Sequence, residues 1–146
     1  MTVEQLPNHL AVIDTWEEKT ARGLSVDQQI LLLEKGIHAV EKRALKTLSL
    51  ITLTVVLDRA LNQSKEKFTI LQNAKIDSGV SILKLLEDKD NQSSEFRVQS
   101  SENLLKALRY FLETLMTILT RITADILTIP IHKALQEVTW NDPENI

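Results

Sequence analysis

The sequence predicts an all-α fold, an antiparallel helical bundle of four to five helices, two of them long and broadly apolar. Three observations carry that prediction. Apolar residues recur at helical spacing through most of the chain. Only three glycines and three prolines occur among 146 residues, too few for the frequent turns of a β architecture. Two stretches, Ala44–Leu61 and Leu104–Ile129, are apolar around most of a helical circumference, whereas a surface helix carries a single stripe.

The first helix is expected to start after Pro7 with Asn8 as its cap and to run to about Arg22, burying Leu10, Ile13 and Trp16. Gly23 suits the left-handed residue that ends a helix. Ser25 with Gln28 three positions on forms a capping box. From Val26 the apolar stripe Ile30, Leu33, Ile37, Val40, Ala44, Leu48, Ile51, Val55 continues without a breaker, which predicts one helix to about Asn62. The string Ile51–Val55 also alternates as a strand would, but helix signals flank it on both sides. Asn62-Gln63-Ser64 reads as a turn, with Ser64 capping a third helix to about Asp88 and a kink near Asp77-Ser78-Gly79. The polar run Asp88–Ser94 reads as a loop. The last long helix starts between Ser94 and Ser101 and carries Leu108, Phe111, Leu115, Ile118, Ile122 and Ile129 at heptad spacing, with Asp125 in a buried position of that repeat. Pro130 should kink or restart the axis near Thr128–Ile129. The domain is expected to span residues 1–138, followed by a flexible tail at 139–146.

Composition narrows the function. With 43% hydrophobic and 25% charged residues the chain is globular. The net charge of −3 is spread along the chain, and Lys42, Arg43 and Lys46 form only a short basic cluster without interleaved aromatics, so nucleic acid is disfavoured. No cysteine is present, which removes disulfides, thiolate metal sites and thiol nucleophiles. The start of the chain lacks a basic, then apolar, secretory pattern, and no segment reads as membrane-spanning. A cytoplasmic location is expected, with delivery to a host cell left open.

Few residues suggest chemistry. Glu34, His38 and Glu41 share one helix face and are weak candidates for holding a divalent metal or moving a proton. A solvated face with intrahelical pairing is the plainer reading, because the Glu-x-x-His pattern of metal-binding bundles does not occur. His9 and His132 have no carboxylate at ligand spacing and read as surface histidines. Asp125 and Arg121, like Asp58 and Arg59, interrupt apolar helices and are expected to reach solvent at the margins. The threonines of both apolar helices fit close helix packing. No catalytic residue and no cofactor are expected.

The surplus apolar surface therefore predicts a non-catalytic interaction or assembly module. The most direct form is a homodimer, or a bundle docking a partner helix, through Leu50, Leu53, Leu57, Leu61, Leu112, Met116 and Leu119. A bundle binding a small molecule or lipid in an apolar cavity is the alternative. An enzyme centred on Glu34, His38 and Glu41 ranks below both. Leu- and Lys-rich helical chains without cysteine resemble, in composition alone, many bacterial proteins, including effectors delivered into host cells. That resemblance carries no site.

Overall fold

Asn8 opens helix α1 (His9–Thr20), its side-chain oxygen accepting from the Leu10 amide at 2.8 Å. Gly23 lies at φ +75° beyond its end, in the left-handed region where a side chain would be strained. Ser25 and Gln28 then close the expected capping box and start α2 (Val26–Leu45). The computed structural model describes the backbone of residues 8–71 and 94–140, and the side chains of all of these but 94–100. Its remaining helices are α3 (Leu50–Lys67), α4 (Ser94–Ile122) and α5 (Thr128–Gln136), with a short 3-10 turn at Thr69–Leu71. No strand occurs among the described residues, and the fold is an all-helical bundle.

The helix expected to run unbroken from Val26 to Asn62 is two helices. The amides of Thr47 and Leu48 fold back onto the Ala44 carbonyl, and Ser49 caps α3 by accepting from the Thr52 amide at 3.1 Å. This break resets the helical phase. Ile51 and Val55, assigned to the core by extending the earlier stripe, point outward with 79% and 62% of their surface exposed. The face that α3 buries is Leu53, Val56, Leu57, Ala60, Leu61 and Ser64. Asn62–Ser64 is not a turn but part of α3, and the Ser64 hydroxyl donates to the Ala60 carbonyl at 2.8 Å. The third helix expected after it, its kink and the polar loop lie mostly outside the described residues. Ser49→Ala should cost about 1 kcal/mol, read as a lower urea midpoint at unchanged slope.

At the other apolar segment α4 stops at Ile122, short of the expected Ile129. Ala124 and Asp125 take left-handed backbone (φ +49° and +68°), and the Asp125 amide bonds the Thr120 carbonyl at 2.7 Å. Asp125 is therefore exposed on a joint rather than buried in a heptad repeat, and Ile122 is 51% exposed at the helix end. The chain restarts as helix at Thr128, as Pro130 leads one to expect. Pro130 falls in the first turn of α5, where its missing donor is not needed.

Helices α2 and α4 lie side by side and parallel at the centre, with Ser101 and Asp27 meeting near their starts. The other three run antiparallel to them. Along α1, His9 reaches Thr120 while Asp14 and Glu17 reach back to Arg109. Along α5, His132 meets His9, and Leu135 crosses Gly36, where a Cβ would stand 2.7 Å from Leu135 Cδ1 and 2.9 Å from the Trp16 ring. Beyond α5, Trp16 Nε1 donates to the Val138 carbonyl at 2.8 Å. Along α3, Lys67 and Phe68 stack on Tyr110.

This arrangement covers the two broad apolar arcs within one chain. Ile37, Ala44, Leu108 and Leu115 are buried as expected, Leu48 and Ile118 only partly. Leu53, Leu57, Leu61, Leu112, Met116 and Leu119, expected at an interface, are each 2% exposed or less and belong to the core. Only Leu50 of that set is exposed. The reason is that α1 and α5 cover one side of the central pair and α3 covers another. Thr117, Thr120 and Thr123 bond carbonyls of their own helix, consistent with threonine used for packing. Val138 and Trp140 also pack against the core, with Lys35 Nζ 4.8 Å from the centroid of the Trp140 ring. Residues 141–146 of the expected tail lie outside the described set. No described helix is long and apolar enough to cross a membrane.

Candidate functional site: an apolar end

Because α2 and α4 point one way and α1, α3 and α5 the other, one end of the bundle gathers particular segments. It holds the start of α1, the α2–α3 turn, the start of α3, the α4–α5 joint and the start of α5. Large apolar side chains are exposed there: Leu45, Leu50, Ile51, Ile122, Ile126 and Ile129, each 43% exposed or more. Val55 one turn into α3 and Leu10 at the start of α1 extend the patch. The remaining exposed large hydrophobic residue among those described, Leu31, lies toward the opposite end. Scattered apolar residues are ordinary on a protein surface, but concentration at one end is not. Each helix break that displaced a residue from its expected core position placed it here.

Charge is also uneven. Lys42, Arg43, Lys46, Arg121 and Lys133 lie within about two turns of this end, against Asp125 and Asp14, the latter already paired with Arg109. None of these five cations forms an ion pair among the described residues. Glu41 is near but buried, and desolvation raises its pKa to about 7. A groove of about 310 Å³ lies between α3 and α4, lined by Arg59, Gln63, Tyr110, Glu113, Thr117 and Arg121 among others.

Of the suggested chemical residues, Glu34 and Glu41 are on the margin of the buried arc of α2 instead of a solvated face. Burial raises the pKa of Glu34 to about 7 as well. His38 stays outside, its Nδ1 3.5 Å from Glu41 Oε2, too long for a good hydrogen bond. Among the described residues no three metal-ligating side chains converge.

His9 and His132, read from the sequence as separate surface residues, meet instead. His9 Nδ1 is 2.7 Å from His132 Nε2, and His9 Nε2 is 3.3 Å from the Thr120 hydroxyl. Thr120 already donates its proton to the Thr117 carbonyl, so it can only accept from His9 Nε2–H. His9 Nδ1 is then the acceptor and His132 Nε2–H the donor, a tautomer assignment set by the network. His132 Nδ1 is left buried without a hydrogen-bond partner. Burial, reinforced by the neighbouring His9, lowers the His132 pKa to about 4; burial also lowers that of His9, against a smaller opposing pull from Asp125. The pair is a neutral clasp tying α1 to α5. Nothing local in the sequence could reveal it, because 123 residues separate the partners.

Comparison with known proteins adds no assignment: no family model, curated protein or solved structure matches this chain.

Proposed function

We propose that the chain is a non-catalytic helical docking module, working through its apolar end against a surface that is apolar and bordered by negative charge. The observation that carries this reading is the gathering of exposed aliphatic side chains at one end, ringed by unpaired lysine and arginine. The sides of the bundle bury their apolar residues internally, which leaves the end as the surface with most to gain from a partner.

An apolar fluorescent dye tests the reading without knowledge of the partner. The folded protein should bind 1-anilinonaphthalene-8-sulfonate with a blue shift. The double variant Ile51→Asp, Ile126→Asp should lose that binding while keeping its helicity and melting temperature. Equal dye binding by both proteins, or none by either, would overturn the proposal.

A further inference from the structure

We infer that the surface this end fits is an anionic lipid bilayer. The inference rests on the docking role proposed above and adds the identity of the occupant. The exposed residues are all aliphatic and sit at helix ends and interhelical joints. Such a blunt tip presents aliphatic groups at headgroup depth, where water still solvates the free amides and carbonyls of the helix ends. Behind the tip stand Lys42, Lys46, Arg121 and Lys133, exposed cations with the reach to meet lipid phosphates as the aliphatic groups enter. A second copy is the poorer occupant. An end-to-end contact would bring two sets of like charges together, with Asp125 and the already paired Asp14 in each chain to offset them.

Co-sedimentation with vesicles of equal parts phosphatidylglycerol and phosphatidylcholine tests this. The protein should bind those vesicles, bind phosphatidylcholine vesicles far less, and release in high salt. Lys46→Gln and Arg121→Gln should each weaken binding about fivefold. Ile51→Asp should abolish it with the fold intact. An Ile126→Trp reporter should shift to shorter wavelength on binding, above the constant background of Trp16, which is buried in the core, and Trp140, which packs against it. Loss of lipid binding with dye binding kept would overturn the lipid inference and leave the docking role standing. Loss of both would remove the docking role itself. Vesicle binding unaffected by Ile51→Asp or by lipid charge would also overturn the inference, as would a two-chain mass in sedimentation that Ile51→Asp reduces to one.

Discussion

Leu112→Asp is expected to destabilise the protein by several kcal/mol, while Ile51→Asp leaves its stability within about 0.5 kcal/mol of the parent. Leu112 is fully enclosed, and a carboxylate there would lose its water and find no cation. The cost of such an uncompensated buried charge is about 3–5 kcal/mol, a large share of the roughly 5–15 kcal/mol typical of a domain. Ile51 is 79% exposed, so aspartate there stays hydrated. Urea denaturation followed by circular dichroism separates the two outcomes. If Leu112→Asp instead left the urea midpoint unchanged, the packing of α4 against its neighbours would be wrong.

The second large effect is on pH dependence. Glu34 and Glu41 are raised to about 7 in the folded protein by desolvation, from 4.5 in the open chain. The fold holds their protons more tightly than the unfolded chain does. Their contribution is fully present below about pH 4.5 and is lost as pH rises through 7. His132 behaves oppositely: lowered from 6.5 to about 4, it contributes above pH 6.5 and loses that contribution as pH falls through 4. The slopes oppose each other between pH 4.5 and 6.5, but two carboxylates act against His132, so stability should still fall with rising pH there, less steeply than the carboxylates alone would give. Replacing Glu34 and Glu41 by glutamine should expose the histidine slope. Each change should stabilise the protein by about 1–3 kcal/mol at about pH 8, since an ionised carboxylate no longer sits in a dry site, and have little effect at about pH 4. Melting temperatures of the double variant across this range provide the check. Equal shifts at the acid and alkaline ends would mean that these carboxylates do not titrate as described.

Local signals in the sequence located the helix starts well. Asn8, Gly23 and the Ser25–Gln28 box act through neighbours three residues away or fewer, so their meaning survives without a fold. Pro130 likewise marked the restart of α5. The break at residues 46–49 was missed because Ser49 is embedded between Leu48 and Leu50 in an apolar run. Its one readable sign was a serine three positions before Thr52. The joint at Ala124–Asp125 has no glycine to announce its left-handed backbone. Both misreadings move side chains between core and surface, because a helical face is defined by phase, and phase does not survive an interruption. The apolar end was thus hidden in the errors: Ile51, Val55 and Ile122 were placed inside when they lie outside. Contacts such as Arg109 with Asp14 and Glu17 were beyond reach for a different reason, since they depend on which helices become neighbours.

The attachments of α1 also set an order of assembly. Asp14 waits for Arg109, Trp16 for Val138 and His9 for His132, partners 95 to 123 residues further along. A helix of 12 residues has little stability alone in water. During synthesis α1 therefore emerges long before its seat exists, while α2 and α3 can already pair across their short turn. Closing the distance to α5 carries the entropy of a very long loop, so this step belongs late in folding. A chain halted before Thr128 would leave Trp16 and the Gly36 face of α2 uncovered, a state a chaperone or a protease could recognise.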